Sequence, residues 1–248
     1  MKKNEIIEQK STEIIEKKTY EKPRGFEQGI DESDLVMPRT RLLQALSPEI
    51  KEKVDGYEIG DIINSLTGEK LPSEFIPIFM FKTYIKFNPE DRKHPDFNSN
   101  FEPRKVIWKF NNIAELNEEQ LEDLKWINNE KPKALSIINF FSYFPDAPEM
   151  PVVISFAVTS YPAGKKLITL CRAYGGHVYS HKYKLSAMDE TKDSHKFKIL
   201  KVAKVGKPTP EEYNICNQLW ETYSPKTHEL QTEDLSINTD NDSEAPEL

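Results

Sequence analysis

"EFIPIFMFKTYIKF", residues 74–87, is the strongest strand signal in the chain. Phe75, Pro77, Phe79, Phe81 and Thr83 fall on one side of a regular two-residue alternation. Ile76, Ile78, Met80, Lys82, Tyr84 and Lys86 fall on the other. Downstream, "KVIWKF" (105–110) reads as a short strand, and "ALSIINFFSYF" (134–144) and "MPVVISFAV" (150–158) read as buried strands. "HKFKILKVAKV" (195–205) alternates through Phe197 and Ile199 and, after a slip, Val202 and Val205. Upstream, "DLVMPRTRLLQAL" (34–46) suits an edge strand or a bend around Pro38. "EIGDIINSLTGEKL" (58–71) reads as strand, a turn at Thr67–Gly68, then strand.

Three helices interrupt the strands. "NEEQLEDLKWINNE" (117–130) has Asn117 as N-cap and places Leu121, Leu124 and Trp126/Ile127 on one face. A second helix runs from Ala163 to Tyr174 and is closed by Gly175–Gly176. The third, "TPEEYNICNQLWETY" (209–223), is the clearest. Thr209 caps it, Pro210 takes the first helical position, and Glu212 completes a capping box. Its apolar stripe is Tyr213, Cys216, Leu219/Trp220 and Tyr223. Many short strands with few helices predict a mainly β protein. The leading architecture is an OB-like Greek-key barrel with added helices and loops, and the alternative is a β-sandwich.

Charge divides the chain differently. Of 248 residues, 34 are basic and 41 acidic, a formal net charge of −7. Seven acidic residues lie after Lys226: Glu229, Glu233, Asp234, Asp240, Asp242, Glu244 and Glu247. Without them, residues 1–226 hold 34 acidic and 34 basic side chains. The division expected is a charged arm at 1–25, one nucleic-acid-binding domain at 26–226, and an acidic disordered tail at 227–248. No apolar run approaches the roughly 20 residues of a membrane span. The start lacks the apolar region of a signal peptide, and two cysteines make no disulfide framework. The expectation is a soluble protein of a reducing cytoplasm.

Catalytic and metal motifs are sparse. No G-x-x-x-x-G-K-[ST] loop and no G-x-S-x-G elbow occurs. His177 and His181 have helical ligand spacing, but Gly175–Gly176 and the strand-forming Val178/Tyr179 spoil it, and no nearby Cys pair or carboxylate completes a set. The carboxylates of "NPEDRKHPD" (88–96) and "FPDAPE" (144–149) read as turn formers. No catalytic residue, metal or cofactor is therefore assigned.

The segment 165–207 is informative. It holds eleven basic residues against Asp189, Glu190 and Asp193, a net +8 within a body that sums to zero. Tyr161, Tyr174, Tyr179, Tyr183 and Phe197 interleave with these charges. Aromatic faces for stacking and cations for phosphates are what a sequence-tolerant single-strand site needs. The candidate nucleic-acid-binding residues are Lys165, Lys166, Arg172, Tyr174, Tyr179, Lys182, Tyr183, Lys184, Lys196 and Lys198. The competing reading is a solvated Lys-rich sheet face whose tyrosines pack on the core.

A barrel-like core followed by an acidic C-terminus resembles single-stranded DNA-binding proteins encoded by tailed bacteriophages. "DLVMPRTRLLQALSPEI" (34–50) with "GDIINSLTGEKL" (60–71) is similar to a segment of a group of phage proteins. The resemblance implies an OB fold, no catalysis, and coating of displaced strands in replication or recombination, inside the host cytoplasm. It also implies docking of the tail on replication or recombination proteins. Two other classes stand beside it: an interaction factor that inhibits a host enzyme, and a metal-dependent nuclease.

Overall fold

The computed structural model describes residues 36–128, 130–192, 195–226 and 231–232. The proposed arm at 1–25 lies outside them, as does the tail apart from Gln231–Thr232. In chain order the elements are β1 (Val36–Met37), β2 (Thr40–Leu42), α1 (Pro48–Lys51), β3 (Ile62–Asn64), β4 (Glu74–Phe87) and β5 (Val106–Phe110). They continue with α2 (Glu118–Asp123), β6 (Leu135–Tyr143), β7 (Val152–Phe156), α3 (Tyr161–Tyr174), β8 (Lys182–Lys192), β9 (His195–Gly206), α4 (Pro210–Tyr223) and β10 (Gln231–Thr232). The protein is mainly β with few helices, as its strand-rich pattern predicts. No helix among the described residues is long and apolar enough to cross a membrane.

β4 organises the large sheet, whose order is β7-β6-β4-β8-β9, with β5 also on β4. β4, β6 and β7 are successive antiparallel neighbours, and β8 returns to pair with the start of β4 at Phe75↔Tyr183. The spatial order β8-β4-β6-β7 is a Greek key. The hairpin partner β9 extends it by a fifth strand, and α3 connects β7 to β8.

The expected barrel is not closed: among the described residues no ladder joins β7 to β9. The physical reason lies along β9. Ser160 Oγ accepts the Leu200 N–H at 3.1 Å. The Gln44 side-chain amide accepts from Lys198 N–H at 2.9 Å and donates to its carbonyl at 2.8 Å. Side chains thus satisfy backbone groups that would otherwise recruit another strand. Arg39, just before β2, forms an isolated parallel bridge with Val153 of β7.

Two cores flank the β4-β6-β7 layer. One, built on Phe75, Phe140, Phe144, Ile154, Phe156, Tyr183, Leu185 and Val202, lies under the β8–β9 hairpin and α3. α3 comes close because of Gly164, where a Cβ would lie 2.8 Å from that of Phe156. The second core, with Ile76, Ile78, Phe79, Phe81, Phe141 and Val153, lies under α4.

The regular alternation expected for β4 fails here. The register shifts between Pro77 and Phe79, leaving Ile78 as an extra residue. The bulge puts Phe79 and Phe81 on the same side as Ile76 and Ile78. Pro77 has no N–H to give to a ladder, which suits the interruption.

The helix boundaries mostly follow their caps. α4 has Thr209 as N-cap and a complete capping box with Glu212. α3 stops at Gly175, whose φ of 67° is left-handed. α2 ends at Asp123, so Trp126 stands outside the helix and is 58% exposed, where a continuous apolar face is expected from the sequence.

β10 pairs in parallel with β1, Val36↔Gln231 and Met37↔Thr232. Of the segment after Lys226, only Gln231–Thr232 are described, and they form this strand.

Candidate nucleic-acid interface

In an OB-type barrel, oligonucleotides lie across the face of the second and third strands and the adjoining loops. Those strands are β6 and β7 here, and their outer face is covered. Tyr213, Cys216, Leu219 and Tyr223 of α4, with Met37, pack against Phe141, Tyr143 and Val153. Phe141 is stacked on Phe79 at 4.8 Å and lies 5.0 Å from Tyr223. Farther along, Arg39 is 3% exposed and donates to Ser155 Oγ at 2.6 Å. Asn139 Nδ2 donates to Thr83 Oγ1 at 2.8 Å, and Thr83 donates to Asn111 Oδ1. This buried polar chain ties β1–β2 to the sheet and leaves no open floor for a strand of DNA.

The ten candidate residues scatter. Tyr183 is wholly buried in the first core, and burial pushes its hydroxyl well above the ordinary phenol range. Tyr179 is 2% exposed, stacked on His177 at 5.0 Å, and donates to Asn217 Oδ1 at 2.7 Å. Neither ring is offered to a base, a correction to the sequence expectation. Residues 178–180 form a 3-10 turn, so the strand face expected to carry Tyr179 and Tyr183 together does not exist.

Lys182 is held by Glu212 at 2.9 Å and lies 3.9 Å from Glu74, while Lys198 pairs with Asp189 at 2.9 Å. Their charges are matched within the fold. Lys184 and Lys196 are exposed on the hairpin, and Lys165, Lys166 and Arg172 on α3. Tyr174 is 45% exposed.

The structure does bring a different set together. A cleft of about 530 Å³ opens between the end of α3 and the start of α4. Its walls are Tyr174, the Gly175–Gly176 turn, Ser180, His181, the segment 207–210, Tyr213 and Asn214. Lys204 Nζ sits 3.4 Å from the centre of the Tyr174 ring, and the His181 ring lies 5.1 Å from it. The left-handed φ values of Gly175 and Gly176 turn the chain sharply after Tyr174, leaving its ring at the rim. His181 is 8% exposed. Burial, then the charges of Lys204 and Lys207, hold its imidazole below the usual range, so it is neutral at pH 7.

No carboxylate among the described residues lines this cleft. A second depression of about 410 Å³, between α3 and β9, is lined by Lys166 and Lys201 but also by Glu190, which repels phosphate. Among the described residues no group of three or more His, Cys, Asp or Glu side chains is placed to hold a metal ion. Burial raises the Cys171 thiol and, with the Glu212 charge, pushes that of Cys216 up to about 12, so neither is an activated thiolate at neutral pH.

Residues 2–229 match the Pam3 phage gp34-like protein family. The chain belongs to that family. No curated protein and no solved structure matches it significantly. The gp34-like region contains both cores and the whole cleft, and stops just before β10.

In this gp34-like chain the cleft draws on the basic segment 165–207 but, apart from Tyr174, not on the candidate side chains expected from the sequence. Lys204, Lys207 and His181 are not among those candidates. The available signal was the pair of breaks, Gly175–Gly176 and Pro208–Thr209–Pro210, that bracket the β8–β9 hairpin. A hairpin of two long strands returns its ends to one place, so both breaks must meet.

Proposed function

We propose that this phage-family protein is a non-catalytic single-stranded DNA-binding protein whose contact surface is centred on the cleft between α3 and α4. The observation that carries the reading is the composition of that cleft: a 45% exposed tyrosine, Lys207 in the wall, Lys204 beside it over the tyrosine ring, neither lysine in an ion pair among the described residues, and no carboxylate among the described wall residues. Stacking on a ring is open to every base, and lysines neutralise the backbone without reading sequence. Lys184 on the hairpin and Arg172 and Lys165 on α3 are further exposed cations. Coating of displaced strands in phage replication or recombination follows from such binding, with the acidic segment after Thr232 directed to partner proteins.

Electrophoretic mobility shifts with single-stranded DNA, duplex DNA and RNA of equal length test the proposal. Single strands are expected to bind more tightly than duplex, because stacking needs exposed base faces. Tyr174→Ala is expected to weaken single-strand binding by about 1–3 kcal/mol, the worth of one stacked base, and to leave duplex binding unchanged. Equal affinity for duplex and single strand would reduce the surface to simple charge attraction. Specific retention of a host protein after nuclease treatment, without strand binding, would favour an interaction factor.

A further inference from the structure

The cleft holds more than a stacking ring beside positive charge. His181 is more than nine-tenths buried, yet it lines the opening and makes no hydrogen bond among the described residues. Its ring nitrogens are not among the fully buried polar atoms that lack a partner, so they reach the opening and can bond a ligand there. Tyr174 of α3 packs on its ring, and Lys204 of β9 and Lys207 of the following loop put positive charge near it. His177 precedes it, stacked on Tyr179. Tyr213 of α4 closes the far wall. The next cation along, Lys182, is already matched by Glu212. Lys207 and a polar ring in the wall, with Lys204 beside them over Tyr174, thus face a space with no carboxylate among its described wall residues.

We infer that the cleft is a receptor for a nucleoside monophosphate group, with the phosphate held by Lys204, Lys207 and His181 and the base against Tyr174. The inference rests on the nucleic-acid reading for its choice of ligand and sharpens it from a surface to a defined pocket. The volume of about 530 Å³ fits one nucleotide. A phosphate monoester carries nearly two negative charges at pH 7 and accepts several hydrogen bonds, which matches two ammonium groups and one ring N–H. The position of Lys204 couples the two halves of the ligand. In the free protein its ammonium covers the Tyr174 ring at 3.4 Å. When it turns to the phosphate on its flexible stem, it uncovers the ring for the base. Burial first, and then the charges of Lys204 and Lys207, disfavour a protonated His181; the phosphate offsets the charge part, so ligand and proton bind together.

Heteronuclear NMR titration of the His181 imidazole in the 248-residue chain, assigned with His181→Gln, tests this. Deoxythymidine monophosphate is the first probe, thymidine the control, and 5′-phosphorylated and unphosphorylated thymidine oligonucleotides the other arms. Deoxythymidine monophosphate is expected to raise the His181 pKa by about one unit or more, equivalent to about tenfold tighter binding to the protonated form. Lys204→Ala/Lys207→Ala is expected to weaken deoxythymidine monophosphate at least about tenfold with melting unchanged, since both side chains are exposed.

A response to the phosphorylated oligonucleotide assigns the ligand to strand ends. A response to the mononucleotide alone assigns it to free nucleotide. Both outcomes support the pocket. An equal response to thymidine or to the unphosphorylated strand, or none to any phosphate-bearing probe, overturns it. Strand binding in mobility shifts without a His181 response removes only this inference. A His181 response without strand binding removes only the wider reading.

Discussion

Truncating Phe141 to alanine is expected to cost about 3–5 kcal/mol of stability, the range for a buried aromatic removed from a packed core. Phe141 is fully buried, stacked on Phe79 at 4.8 Å and 5.0 Å from Tyr223. It is the point where α4 is clamped to the outer face of β6. A domain of this size has roughly 5–15 kcal/mol in total. The melting temperature should therefore fall by roughly 6–20 °C. Trp220→Ala, on the same helix but 43% exposed, is expected to change stability by about 0.5 kcal/mol or less. Thermal denaturation followed by circular dichroism compares the two. Near-equal losses would mean that α4 is not held through Phe141, and that the β6–β7 face is open to ligands after all. Since the start of α4 also walls the cleft, strand binding by Phe141→Ala should track the folded fraction.

Two C-terminal truncations are expected to separate charge from structure. A chain ending at Thr232 keeps β10 and loses six of the seven acidic residues after Lys226. It should melt like the full chain, because the removed segment has no aromatic residue and few apolar ones. It should bind single strands several-fold more tightly at low salt if the acidic segment competes for the cleft. That gain should shrink toward physiological salt, where the Debye length is about 8 Å. A chain ending at Lys226 also loses the pairing of Gln231 and Thr232 with Val36 and Met37. Each lost hydrogen bond is worth about 1 kcal/mol, so this chain should melt a few degrees lower. Identical melting of the two truncations would show that the β1–β10 pair contributes nothing to stability. Unchanged affinity in both would leave the acidic segment a partner-docking element.

Much of this fold is legible in particular residues. The bounds of β4 follow from a run rich in apolar and aromatic residues with no glycine, and α4 from Thr209, Pro210 and Glu212, whose roles are local. The strand faces of β4 are less legible. Residues 75–81 are apolar on both sides of the alternation, so a one-residue slip leaves no trace in the pattern, and Pro77 is the sole local hint. The two buried tyrosines show a different limit. In "KYK" at 182–184, alternation of Lys and Tyr describes a half-buried strand as well as it describes a binding face. Tyr183 turns inward because β8 pairs with Phe75 of β4, more than 100 residues earlier. The cleft is set by the same kind of long-range closure. Tyr174 and His181 meet Lys204 and Lys207 only when the β8–β9 hairpin returns on itself, and the breaks on either side of that hairpin are the sole signal of the meeting in the sequence.

The most direct test of the account is the salt dependence of single-strand binding, followed by fluorescence anisotropy of a labelled thymidine oligonucleotide. Each phosphate contact on a single strand contributes about 0.7 to the log–log slope. The account predicts that Lys204→Ala/Lys207→Ala lowers the slope by about 1.4, whereas Lys182→Ala, whose ammonium is held by Glu212, leaves it unchanged. A double variant with the slope of the unaltered chain, or no binding by that chain at about 50 mM salt where phosphate contacts are strong, would contradict it.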